Sequence, residues 1–389
     1  MKFPIYLDYQ ATTPVDPRVL DEMMPYFSKH FGNAASVDHL YGAEAADAVE
    51  KARKKIARCI NARPEDIIFT SGATESNNIA ILGLAAKHSD KGDHIITCVT
   101  EHKSVLDTCK YLESLGKRIT YVRVDKFGTI DLEMLENSIC EKTILISVMT
   151  ANNEIGTIAP IKEIGEIARK YDVLFHTDAA QAAGHIPLDV NEMKVDLMSI
   201  SAHKMYGPKG IGALYVRHTN LEAKPCPIIF GGGHEQGIRS GTLNVPGIIG
   251  FAKAFEIAIK EMNDENKRYK KWIKHMLEVF QEKAKPVEQN GHPEKRLSHN
   301  LNVSFEKVES KALIRAVSPK LAISSGSACT TLNVEPSHVI LALGFGPERA
   351  HTAIRLGLGR FNTEEEIEFA TEFIVQAVKR LRKIRMSLL

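Results

Sequence analysis

The sequence predicts an α/β protein, a mostly parallel central sheet flanked by helices with a smaller α+β domain beside it. Three observations carry this expectation. Between about residues 65 and 217, short runs rich in Ile, Val and Thr recur, each too short for a helix. Amphipathic stretches with apolar residues at three-to-four spacing separate several of these runs. Past the glycine-rich segment GGGHEQGIRSGT (231–242) the alternation stops and a long charged helical pattern takes over.

The strand candidates, in order, are IIFT (67–70), HIITCV (94–99), ITYVRV (119–124), TILISVMT (143–150), VLFHTD (173–178), LMSIS (197–201) and IGALYV (211–216). SVLDTCKYLESLG (104–116) and IKEIGEIARKYD (161–172) read as helices, ending near Gly or Asp. A long helix is predicted over 251–285 around Trp272, then a turn-rich region (286–300), a strand LNVSF (301–305) and shorter elements. Thr363 and Glu366 form a capping-box pattern at the start of the last helix. The basic end KRLRKIR (379–385) reads as a cationic last turn, favourable with the helix dipole. The expected division is a large domain over 16–250 and a small α+β domain built from 1–15 and 251–389.

Composition narrows the function classes. The chain is 44% hydrophobic and 25% charged, as globular proteins are. Fifty basic residues against 48 acidic give a net charge of +2, which points to neither nucleic acid nor a membrane surface. No apolar run approaches membrane-span length. The start, MKFPIYLDYQATTP, places Pro4 and Asp8 where a signal peptide must stay apolar, so the cytoplasm is expected, with the mitochondrial matrix as the alternative for a processed chain. Six cysteines (59, 98, 109, 140, 226 and 329) show no CxxC pair and no metal-finger spacing, which suits a reducing compartment. Five of them read as structural or incidental.

Chemistry concentrates at three predicted strand ends. In VDLMSISAHKMYGPKGIGALYV (195–216), Lys204 follows an apolar strand and precedes two glycine-containing turns, with Ser201 and His203 beside it. Most lysines are solvated surface groups, so its company is what singles it out. Asp178 ends a buried strand in FHTDAAQ, at the carboxyl edge where open α/β sheets bind ligands. A carboxylate there can keep the pyridine nitrogen of pyridoxal phosphate protonated; taken alone, a helix cap is the simpler reading. The run FTSGATESNNIAI (69–81) goes strand, Ser-Gly, helix, and the free N–H groups of such a helix start suit a phosphate, with Ala73 at the turn and Thr74 adding a hydroxyl. Each signal is weak singly. Phosphate site, acidic ring partner and reactive lysine in this chain order are much stronger together.

Through these segments the sequence resembles the cysteine desulfurases of the NifS/IscS type, in the class V group of fold-type I pyridoxal-phosphate enzymes. The resemblance spans nearly the whole chain and includes LDYQATTPVDPRV (7–19), TEHKSVLDTC (100–109), ANNEIGTI (151–158), SAHKMYGPKG (201–210), SSGSACT (324–330) and HTAIRLGLGRF (351–361). It implies pyridoxal 5'-phosphate held covalently by Lys204, with Asp178 on the ring nitrogen, His102 stacked on the ring as an acid/base, and Gln181 on the ring hydroxyl. Ala73, Thr74, Ser201 and His203 are implied around the phosphate, with Thr242 reaching it from the second subunit of a homodimer. Asn153 and Arg355 match the positions near the substrate carboxylate, Asn153 also touching the cofactor.

By the same resemblance L-cysteine is the substrate and Cys329 the nucleophile, leaving alanine and a persulfide. Its small-residue surroundings, SSGSACTTLNVEPS, suit an exposed reactive thiol on a long loop, as in the family's first group. An iron–sulfur scaffold protein or another sulfur acceptor is the implied partner, with tRNA thiolation left open. No permanent metal is implied, and Cys329 stays open as a transient iron–sulfur ligand. Gln10 and Gln236 stand where many members carry other residues, and the chain ends at Leu389 without the tail that related proteins use for scaffold docking. Two rivals stay open. Another class V enzyme, such as a selenocysteine lyase, shares the lysine without needing Cys329, and a non-catalytic interaction protein needs neither Lys204 nor Asp178.

Overall fold

The computed structural model describes residues 2–325 and 336–387. Its strands in chain order are β1 (Ile5–Tyr6), β2 (Ile67–Thr70), β3 (His94–Cys98), β4 (Arg118–Val122), β5 (Thr143–Ser147), β6 (Leu174–Asp178), β7 (Leu197–Ser201), β8 (Gly212–Val216), β9 (Val287–Gln289), β10 (Asn300–Phe305), β11 (Leu321–Ala322) and β12 (Ala353–Gly357). Seven of them form the central sheet in the order β2-β8-β7-β6-β5-β3-β4. Pairing is parallel from β7 through β4, while β8 runs antiparallel to both its neighbours. The expected α/β architecture with a mostly parallel sheet is therefore present.

Strands β2, β3 and β5 to β8 are buried along their whole length, which is why they read as continuous apolar runs. On one face the sheet packs under Leu40–Cys59 and the first half of a long helix, Val245–Lys283. On the other it meets Ala73–Lys87 and Lys103–Ser114. Beyond its polar first turns the helix Ala73–Lys87 is apolar all round from Ile79 to Ala86, since it lies between the sheet and neighbouring helices.

A second apolar cluster joins Ile5, Leu7, Tyr269, Trp272, Phe280, Val303, Leu356 and Ile374. Around it, β10 pairs antiparallel with β9 and β12. The N-terminal β1 pairs parallel with β11, Ile5 against Leu321. Between Ala258 and Tyr269 the helix Val245–Lys283 passes from the first cluster to the second, so one continuous rod serves both cores. Thr363 and Glu366 exchange the two bonds of a capping box at 3.2 Å each, and helix Glu364–Ser387 follows.

Between the two clusters lies a buried ionic knot. Arg360 reaches Asp16 at 2.7 Å and Glu265 at 2.6 Å, with its guanidinium 4.2 Å from the ring centre of Tyr206. Arg18 grips both oxygens of Asp16, Oδ2 at 2.7 Å and Oδ1 at 2.9 Å. Hydrogen bonds from Arg18 and Arg360 hold the Asp16 carboxyl well below the usual range.

Candidate active site

The carboxyl ends of the parallel strands converge on one cavity of about 570 Å³. Position, not local composition, makes this the site, because ligands of open α/β sheets bind beyond that edge. It is lined by Ala73, Thr74, His102, Asn153, Asp178, Gln181, Ser201, His203, Lys204 and Arg355, ten of the residues singled out on the sequence. Thr242 does not line it. That residue is exposed and borders a small crevice behind Ser71 and Gly210. Cys329 lies outside the described residues.

Lys204 ends the single 3₁₀ turn Ala202–Lys204 that follows β7. Its ammonium donates to the carbonyls of Gln10 at 2.5 Å and Ala11 at 2.9 Å. The Gln10 carbonyl also accepts from Gln181 Nε2 at 3.0 Å. The unusual Gln10 side chain points elsewhere, toward the His299 carbonyl. Two residues past the lysine, Tyr206 takes a left-handed φ of +65°, uncommon for an aromatic residue, and is held there by Thr13 Oγ1 on its N–H.

Asp178 closes β6 and is buried. Its Oδ1 accepts from the Ala180 N–H at 2.9 Å and so closes a turn, while no helix follows it before β7 for the helix-cap reading to apply. Its Oδ2 accepts from Asn77 Nδ2 at 2.7 Å. Neither Asn77 nor its neighbour in this network, Ser104, was evident as a site residue. Each is an ordinary polar residue in the first turns of a helix, and only the approach of helices Ala73–Lys87 and Lys103–Ser114 brings them to Asp178 and His102. His102 caps the second of these helices, its Nδ1 receiving the Ser104 N–H at 3.1 Å.

Beside it, Glu101 is buried and its carboxyl is pushed well up, above all by burial, while Oε1 accepts the Met149 N–H. His203 is pulled down to about 4 by burial first and by the charges of Lys204 and Lys209 second, so it is neutral at pH 7, with Nδ1 3.0 Å from Thr12 Oγ1. Arg355, on β12, donates to Asp8 Oδ1 at 2.8 Å and to the Asn153 carbonyl at 2.9 Å. The fork expected near a substrate carboxylate is thus already oriented by Asp8, which also accepts from Ser324 Oγ at 2.8 Å.

The donor set fits a pyridoxal phosphate. At one end, Gly72 opens helix Ala73–Lys87 with φ +149° and no side-chain cap, so the first-turn N–H groups of Ala73 and Thr74 are uncapped where both residues meet the cavity. A Cβ on Gly72 would lie 3.7 Å from Ser201 Oγ, inside that cradle. Hydroxyls of Thr74 and Ser201 and the His203 ring join the same end. Asp178 supplies an acceptor for a protonated ring nitrogen, and Lys204 the amine.

Among the described thiols, burial pushes Cys59, Cys98 and Cys109 up to about 12, as inert structural cysteines behave. Cys140 differs, being exposed and lowered, chiefly by the hydroxyl of Thr143. It sits near the starts of β3 and β5, at the sheet end away from the cavity. No helix among the described residues is long and apolar enough to cross a membrane, and among them no cluster suited to a metal ion occurs.

Residues 5–369 match the family model described as aminotransferase class-V. The chain is 51% identical over 384 residues to "Cysteine desulfurase IscS" of Rickettsia africae, covering 99% of this chain and 93% of that protein. The corresponding protein of Rickettsia felis is 51% identical over 381 residues, covering 98% and 92%. Among solved structures, a "NIFS-LIKE PROTEIN" superposes with a TM-score of 0.90 at 38% identity, over 97% of this chain and 100% of that one. "SspA in complex with cysteine" matches with a TM-score of 0.80 at 38% identity, over 92% and 99%.

Proposed function

This chain belongs to the aminotransferase class-V family, and we propose that within it the protein is a pyridoxal-phosphate-dependent cysteine desulfurase, converting L-cysteine to L-alanine with a persulfide on Cys329. The single observation that carries this is the convergence of Lys204, Asp178 and a helix-start phosphate cradle on one cavity, in a chain half identical to proteins of that name. The rival class V activities share the lysine, but the two Rickettsia relatives named above are cysteine desulfurases.

Bound in the cavity, pyridoxal phosphate supplies an electron sink for the substrate's α-carbon. The chain's residues do the rest. Ala73, Thr74, Ser201 and His203 would hold the phosphate, Asp178 would keep the ring nitrogen protonated, and Gln181 would serve the ring hydroxyl. Lys204 would carry the cofactor, and its free amine is the base placed to take the substrate's α-proton. Its present carbonyl partners, Gln10 and Ala11, give the ammonium a defined resting place. Arg355, oriented by Asp8, and Asn153 receive the substrate carboxylate. Cys329 thiolate attacks the substrate sulfur, so that an S–S bond forms as the C–S bond breaks, the electron pair staying with the substrate's β-carbon, which takes a proton to become the methyl of alanine. His102 moves protons at the substrate.

The sulfur then passes to an acceptor such as an iron–sulfur scaffold protein, in the cytoplasm. We read the protein as a homodimer because Met24, Phe27, Phe31, Leu40 and Tyr41 are all more than half exposed and share one stretch of chain, while Thr242 lies off its own cavity.

The test is a persulfide assay on purified protein with L-cysteine, mass spectrometry locating the added sulfur on Cys329. If Cys329→Ala kept full sulfide release from free cysteine, the nucleophile is misassigned. Lys204→Ala should lose turnover, and borohydride treatment should no longer fix the cofactor to the chain.

A further inference from the structure

Asn77 is fully buried between Asp178 and Ser104. Its Nδ2 donates to Asp178 Oδ2 at 2.7 Å and to Ser104 Oγ at 2.8 Å, so both amide protons are engaged. Turning the amide over would set its carbonyl against the carboxylate, so the order of donors is fixed. With an N–H arriving on its oxygen, the Ser104 hydroxyl has its own proton to give. His102 Nδ1 lies 2.8 Å away and also receives the Ser104 backbone N–H. Every bond in the series therefore runs in one direction, out from the Asn77 amide.

We propose that Asn77 and Ser104 are positioning residues that fix His102 in the tautomer protonated on Nε2 and tie its orientation to that of Asp178. Two groups with separate tasks, the carboxylate for the ring nitrogen and the imidazole that moves protons, are thereby set as one unit. The inference rests on the reading of the cavity given above, but the hydrogen-bond order itself does not depend on the substrate. A donor on Nδ1 favours the neutral ring. The bridge thus lowers the proton affinity of His102 against the anion of Asp178, in a cavity that also holds the positive Lys204 and Arg355 and the neutral His203, with Glu101 buried next to it in the chain.

The experiment is ¹⁵N NMR of the His102 imidazole through a pH titration of the cofactor-free full chain, with pH–rate profiles of the loaded enzyme beside it. Ser104→Ala should raise the proton affinity of His102 roughly three- to tenfold, the value of one neutral hydrogen bond. Ser104→Thr, which keeps the hydroxyl, should restore it. Asn77→Ser should shift it in the same direction when Ser104 is present and add nothing in the Ser104→Ala background. The acid limb of the rate profile should move with it. An unchanged His102 titration in Ser104→Ala, or an Asn77→Ser shift of equal size without the hydroxyl, overturns the proposal. If Asn77→Ser does not fold, the Ala and Thr pair at position 104 still decides it. Absence of desulfuration in every loaded protein, with the NMR shifts as expected, would instead count against the functional reading.

Discussion

His176 sets a limit on acid stability that can be worked out and measured. It lies fully buried in β6, its Nδ1 2.9 Å from Ser147 Oγ on β5 and its Nε2 3.0 Å from Ser199 Oγ on β7. Burial pulls it down from 6.5 to about 4, with the nearby charge of Asp178 opposing only in part. In the unfolded chain the ring takes a proton as pH falls through about 6.5. In the folded protein it stays neutral until about 4, so the unfolded state binds more protons in between. Stability is whole above pH 6.5 and declines as pH drops toward 4. At pH 5 the unfolded ring is almost fully protonated and the folded ring about a tenth so, a loss of about 2 kcal/mol relative to pH 7. Urea unfolding of wild type and His176→Gln at pH 7 and pH 5 isolates this share. The buried pair His185 and His299, also depressed, contributes equally to both proteins and cancels. Wild type should lose about 2 kcal/mol more than the variant between the two pH values. Equal losses would show that His176 does not carry the effect.

Replacing Arg360 with Met leaves Glu265 an uncompensated buried carboxylate and Asp16 with Arg18 alone, and should cost about 3 to 5 kcal/mol, seen as a lowered thermal midpoint. In Gly212→Ala the new Cβ would meet the Ile200 carbonyl at 2.3 Å and Gly72 Cα at 2.7 Å, so β8 must shift against the phosphate cradle. Weaker cofactor binding by fluorescence titration, at least tenfold, is expected. Asp178→Asn removes the carboxylate charge for the ring nitrogen and should lower kcat on the order of a hundredfold or more, with the fold unchanged by circular dichroism. Cys140 should be the first of the described thiols to react with iodoacetamide at pH 7, and Cys140→Ser should leave sulfide release unchanged.

The strands were legible because burial on both faces leaves a run of β-branched residues with little else in it. HIITC and LMSIS announce themselves wherever they lie in the sheet. Sheet order was not legible, since nothing in IGALYV says that it inserts antiparallel between β2 and β7. Lys204, Asp178 and the Ser-Gly-Ala-Thr turn were readable through their types and chain order, because at strand ends they have few simpler uses together, whereas His102, Asn153, Gln181 and Arg355 came only through the family resemblance. Asn77 and Ser104 were not readable. Their role comes from the packing of two helices, and a lone Asn or Ser in a first helical turn has an ordinary use as a capping or solvated residue. The holders of Lys204 were hidden for another reason: they are backbone carbonyls, which no side-chain pattern encodes.

Those carbonyls follow directly on β1, and β1 pairs with Leu321 and Ala322, far later in the chain. A nascent chain can complete the seven-stranded sheet soon after residue 216 emerges, with Gln10 and Thr13 already within reach of Gln181, His203 and Tyr206, while β1 stays unpaired until residues 321 and 322 arrive. Chains stalled before residue 322 should therefore keep a folded sheet but hold the carbonyl partners of Lys204 less firmly, and retain cofactor less well than the full chain.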